Sequence, residues 1–130
     1  MDWTAPTTDE MHDVAAEAVR QFPPPFAELA QDVVIRVEEF ASDAILSEMD
    51  SDPFDLTGLY DGIPVTLKSN LDQPVGPDVV WLFRQPILAE WAERGDVTLK
   101  ALVAHVTVHE FAHHFGWSDN DIAAIDRWWE

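Results

Sequence analysis

His105-Val-Thr-Val-His109-Glu110-Phe-Ala-His113-His114-Phe-Gly116-Trp117-Ser118-Asp119 is the stretch on which the reading of this chain turns. It holds H-E-x-x-H at 109–113, a Gly three residues after the second His, and an Asp three residues after that Gly. With residues 99–115 helical, His109 and His113 project from one face, about 6 Å apart along the axis. Two imidazoles so placed reach one zinc ion at roughly 2.0–2.1 Å each. Glu110 is turned ~100° around the helix, so it flanks the metal and does not join the ligand pair. From there a carboxylate takes a proton from a zinc-bound water, the general-base role that this pattern implies.

A catalytic zinc needs a third protein ligand and an open fourth position. Gly116 lies where the helix would end on a left-handed residue, a conformation that Gly adopts without steric penalty. The chain can then fold back and bring Asp119 over the same metal, so that His109, His113 and Asp119 complete the set. A bare H-E-x-x-H also occurs in helices that bind nothing. The apolar helical context, Gly116 and the spacing of Asp119 favour the metal here.

The same block is similar to the signature of a small family of bacterial zincin-like metallopeptidases. These resemble the metzincins in the elongated H-E-x-x-H-x-x-G-x-x-(H/D) pattern but are much shorter. The likeness extends over most of the chain, including Leu59-Tyr60-Asp61-Gly62 and Leu82-Phe83-Arg84-Gln85-Pro86-Ile87. It implies that His109, His113 and Asp119 hold zinc and that Glu110 is the base. It also implies a strand beside the metal helix that binds extended peptide by strand addition, with residues 63–67 or 79–83 as candidates. The Met-turn that floors a metzincin site is missing, because the three methionines, Met1, Met11 and Met49, all precede the motif.

At 130 residues, the chain is expected to form a single domain over 1–130, with 1–6 loose. There are no cysteines, which excludes disulfides and Cys-ligated zinc and fits a reducing compartment. The acidic, polar start is unlike a signal peptide and no apolar run is long enough to span a bilayer, so the cytoplasm is the expected address. With 25 acids against 7 bases, the formal charge is −18. Nucleic-acid phosphates and anionic membrane surfaces are repelled, and a cationic metal and basic peptide segments are attracted; the peptide or protein substrate is what the resemblance implies. Most of the carboxylates solvate the surface. Oligomeric state is left open.

Thr7 and Glu10 have capping-box spacing, and a helix is expected from about residue 8 to Phe22 with Met11, Val14, Ala15, Ala18, Val19 and Phe22 on its core face. Pro23-Pro24-Pro25 stops it. A short helix over 26–31, a strand over 32–40 and one or two helical turns over 42–49 follow. Leu56–Tyr60 and Ile63–Leu67 read as a hairpin, with Asp61-Gly62 as its two-residue turn. Residues 78–84, nearly all apolar, read as a strand buried on both faces. Pro86 opens a helix that ends near Gly95, Thr98 caps the metal helix, and Ser118 or Asp119 starts a last helix. The expected fold class is α+β, minimal zincin-like, with helices packed on a small mixed sheet of three or four strands.

Four further residues are candidates for supporting roles. His105 continues the stripe of His109 and reads as a packed polar residue or a partner of the ligands. His114 points ~100° away from His113 and reads as a supporting or surface residue. Tyr60, the only tyrosine, and Arg84 are candidates for stabilising an oxyanion. Two functions stay open: a zinc-dependent peptidase, or a non-enzymatic zinc-binding interaction module that uses the same site structurally.

Overall fold

The computed structural model describes residues 6–22, 26–62 and 78–116. Five helices and three strands follow in the order α1 (Thr8–Arg20), α2 (Phe26–Leu29), β1 (Val34–Glu38), α3 (Asp43–Met49), β2 (Gly58–Asp61), β3 (Val79–Phe83), α4 (Arg84–Arg94) and α5 (Leu99–His114) among these residues. The result is an α+β fold.

Local chemistry sets the helix ends. Thr7 Oγ1 accepts from the Glu10 N–H at 3.1 Å, and the Thr7 N–H donates to Glu10 Oε1 at 3.1 Å, closing the expected capping box. Ser42 caps α3 and Thr98 caps α5 in the same way, the latter through an Ala101 N–H at 3.0 Å. Such caps contribute about 1 kcal/mol each by satisfying otherwise orphaned donors. Gly95 closes α4 at φ +72° and Gly116 follows α5 at φ +80°, both left-handed, which favours Gly at these positions.

The sheet order is β1-β3-β2, with β1 parallel and β2 antiparallel to β3. β3 is therefore the central strand; Val80 and Leu82 on one face are buried, whereas Val79 and Trp81 on the other are only half-buried, so the expected burial of both faces is met in part. The pairing of β3 on both sides removes residues 79–83 as a site for strand addition. The other candidate, 63–67, lies outside the described residues, as do the proline run, residues 1–5, the expected last helix and Asp119. A second correction concerns Asp61. Expected in a two-residue turn, it is instead the last residue of β2 and pairs with Val79. The ladder to β3 uses its backbone; the second strand of the expected hairpin lies outside the described residues.

The period of two divides the sheet. Val80 and Leu82 are fully buried beneath the helices, with Ile35 and Val37 beside them. On the opposite face Arg36 lies over the Trp81 ring at 5.9 Å, and Trp81 stacks on Phe83. Met11, Ala15 and Phe22 of the first helical stretch meet Val103, Phe111 and Phe115 in the core. Phe22 packs edge-on against Phe111 at 5.6 Å and Phe115 at 5.9 Å. The effect of this packing is to hold α5 firmly across the sheet. No described helix is long and apolar enough to cross a membrane.

Candidate active site

α5 buries most of its surface. Leu102, Val103, Val106, Thr107, Val108, Phe111 and Ala112 are all enclosed, and the Thr107 hydroxyl is satisfied by the Val103 carbonyl at 2.7 Å. The residues left partly exposed include His105, His109, Glu110 and His113. The burial of a long apolar helix thus leaves a narrow polar stripe, and the motif occupies it.

His109 and His113 sit side by side, ring centroids 5.1 Å apart and planes at 81°. Two neutral imidazoles at this separation suit a borderline-soft divalent ion such as zinc. Among the described residues no group of three His, Cys, Asp or Glu side chains is gathered to hold a metal. Asp119, the expected third ligand, lies beyond the described residues, so the pair fits a metal without itself closing the shell.

Glu110 faces β2. Gly58 packs against its stem. A Cβ on Gly58 would fall 2.8 Å from Val106 Cγ1 and 3.1 Å from Glu110 Cγ. Gly58 is thus the residue that lets strand and helix approach this closely. Burial pushes the Glu110 carboxyl up to about 7. His105, His109 and Glu110 open onto a groove of about 300 Å³ walled by Asp55–Gly58 on one side and by Glu90 and Arg94 on the other.

Of the other sequence candidates, His114, Tyr60 and Arg84 have their side chains engaged away from the groove. His114 is 2% exposed, so it is a core residue and not a surface one. Its Nδ1 lies 2.8 Å from Asp78 Oδ2, and its Nε2 3.0 Å from the Leu29 carbonyl oxygen. Tyr60 Oη donates to the same Asp78 oxygen at 2.7 Å, and burial, then this bond, pushes the phenol far above its ordinary range. Arg84 Nε donates to the Pro6 carbonyl at 2.6 Å and its Nη1 to Glu39 Oε1 at 2.8 Å, at the far end of β3. His105 lines the groove one helical turn before His109.

Gly58 and Asp78 were not singled out from sequence. A Gly within a strand pattern signals close backbone approach, and Leu56-Thr-Gly-Leu-Tyr60 carries that signal. Asp78 carries none, since its role exists only once three distant segments meet.

Comparison with curated proteins finds no match. A family model described as zincin-like metallopeptidase matches residues 30–129, which takes in the sheet, the groove and the whole H-E-x-x-H helix. A paired-His helix laid against a small mixed sheet, with a Glu between helix and strand, is what such a match leads one to expect. The chain belongs to the zincin-like metallopeptidase family.

Proposed function

We propose that this chain is a zinc-dependent peptide hydrolase in which His109, His113 and Asp119 hold the metal and Glu110 is the general base. One observation carries the reading. Glu110 is set beside the His109–His113 pair without joining it, partly enclosed between α5 and β2, and lines the groove together with His109. A bound zinc ion would supply Lewis acidity to a water and to the scissile carbonyl. Glu110 takes the proton of the attacking water and delivers it to the leaving amine. Burial serves that role, because it raises the carboxyl of the metal-free chain and so opposes the bound cation, which favours the ionised form.

The substrate runs along β2. Thr57 O accepts from the Phe83 N–H at 2.9 Å, so in the alternating antiparallel ladder Leu59 and Asp61 face β3. Gly58 and Tyr60 therefore turn their main-chain groups to the other edge, beside the motif helix. An extended peptide added there would have its carbonyls over the groove. The formal charge of −18 argues against nucleic acid and for a peptide or protein.

Glu110→Gln tests the reading. It retains size and much of the hydrogen bonding but cannot accept the proton. The variant is expected to keep one zinc per chain and its melting temperature while losing zinc-dependent cleavage of unstructured peptides by at least ~10²-fold. Equal cleavage by the variant, or no zinc-dependent cleavage by wild type across a diverse peptide library, would leave a zinc-binding interaction module in its place.

A further inference from the structure

The wall of the groove opposite Asp55–Gly58 carries a charge that the hydrolytic chemistry does not use. Arg94, the last residue of α4, lines it, and no other Arg or Lys lines the groove among the described residues. Its backbone is well held. The Gly95 N–H donates to the Trp91 carbonyl at 3.1 Å, and the Trp91 indole N–H donates to the Val97 carbonyl at 3.0 Å. Other described arginines are committed elsewhere. Arg20 turns two nitrogens to one Glu17 oxygen, Arg84 is bound by Pro6 and Glu39, and Arg36 lies over Trp81. Arg94 is paired with Glu90 of the same helix, whose carboxylate lies 3.3 Å from Nε, and its side chain stays 49% exposed. An exposed i,i+4 pair of this length is weak, so it places the guanidinium without saturating it. Its two Nη groups form the fork that binds a carboxylate through two parallel bonds.

We propose that Arg94 is the subsite for a carboxylate of the peptide substrate, supplied by the C-terminus or by an Asp or Glu side chain. The proposal rests on the groove being that of a peptide hydrolase, and it names the substrate class. A peptide paired to β2 lies along one wall, and a carboxylate close to the scissile bond reaches across the groove to the other. Asp55 and Glu90 line the same groove and the chain as a whole carries a formal charge of −18, so the surroundings of Arg94 repel anions. Arg94 therefore selects position as well as charge: the substrate has one carboxylate near the cleaved bond and is otherwise neutral or basic.

The peptide that the zinc-loaded full chain cleaves fastest is compared with its C-terminal amide and with versions carrying Gln for Glu and Asn for Asp. Removing the bound carboxylate should lower kcat/KM about tenfold or more, mainly through KM. Loss on amidation assigns the C-terminus, and loss on the Gln or Asn exchange assigns a side chain. In Arg94→Gln this discrimination should collapse to within about twofold or reverse, since Asp55 and Glu90 then set the charge of the groove. Arg36→Gln, on the outer face of the sheet, removes the same charge and should keep the discrimination. A discrimination that survives Arg94→Gln, is absent from wild type, or falls equally in Arg36→Gln overturns the proposal. If wild type cleaves nothing, the hydrolase reading fails and calorimetric binding decides. The probes are tri-alanine with its C-terminal amide, and acetyl-Ala-Glu-Ala-amide with its Gln counterpart. A tenfold preference for an acid form that Arg94→Gln abolishes supports the subsite, whereas no binding, or equal binding of acid and neutral forms, overturns it.

Discussion

His113 and His114 are consecutive residues of one helix, yet they occupy opposite chemical situations. His114 is enclosed, both of its ring nitrogens engaged by Asp78, Tyr60 and the Leu29 carbonyl. His113 is partly exposed and lies against the ring of His109. A turn of ~100° about the helix axis separates an imidazole used by the fold from one proposed to bind a metal. Residue type does not distinguish them. The segments packed on each face of α5 do, and a buried polar group with its partners supplied contributes to stability where an open one is free for chemistry.

The sharpest way to break this comparison is to remove each ring in turn. His113→Ala should abolish stoichiometric zinc binding, since one imidazole and one carboxylate make a poor site. Asp119→Ala should weaken zinc strongly, whereas Asp121→Ala should not. Metal analysis of protein purified without chelator reads all three, and stoichiometric zinc in His113→Ala would place the ligands elsewhere. The metal-free stability of His113→Ala should stay within ~1 kcal/mol of wild type. His114→Ala should do the reverse, costing about 2–5 kcal/mol in urea denaturation by emptying an enclosed site and taking one hydrogen-bond partner from Asp78. Similar stabilities for the two variants would remove the distinction.

What sequence made legible is also divided along this helix. Thr98, the apolar run, the paired His and the left-handed Gly116 are local signals, and each falls where its own chemistry predicts. The same holds for the Thr7–Glu10 box and for the existence of β3 as an apolar strand. The burial of His114 was not legible, because Asp78 and Leu29, which bind it, are 36 and 85 residues away in the chain. Strand order was illegible for the same reason. Asp61, expected beside Gly62 in a turn, is the last residue of β2 because it pairs with Val79, a partner 18 residues away in the chain.

A smaller effect concerns pH, where Glu110 contrasts with an ordinary surface carboxylate. Its pKa rises from 4.5 to about 7 through burial. The folded, metal-free protein therefore keeps a proton that the unfolded chain releases, and stability falls as pH rises from about 4.5 to about 7. The loss attributable to this group is at most on the order of 3 kcal/mol. With so many other carboxylates titrating, it is read as the difference between wild type and Glu110→Gln in urea denaturation across that range. Zinc should shrink the difference, because a nearby cation favours the ionised carboxylate. Parallel curves for the two metal-free proteins would show that Glu110 is more solvated than its setting between α5 and β2 implies.

The smallest effect compares two glycines. At Gly58 an added Cβ meets Val106 Cγ1 at 2.8 Å, Glu110 Cγ at 3.1 Å and Glu110 Oε2 at 3.3 Å. Val106 is enclosed and its branched side chain is stiff on a helix, so it cannot rotate away. Strand and helix must therefore separate by a few tenths of an ångström, at a cost of about 1–3 kcal/mol less the ~0.5–1 kcal/mol that Ala gains over Gly in a strand. At Gly95 nothing lies within 4 Å, but φ is +72°, so Ala there costs about 1 kcal/mol through the backbone alone. The two substitutions should thus look alike in a denaturation curve. They should differ at the site: Gly58→Ala displaces Glu110 and lowers cleavage at saturating zinc, whereas Gly95→Ala leaves it unchanged. Equal activity in both would mean that the close contact between β2 and α5 serves packing and not the carboxylate.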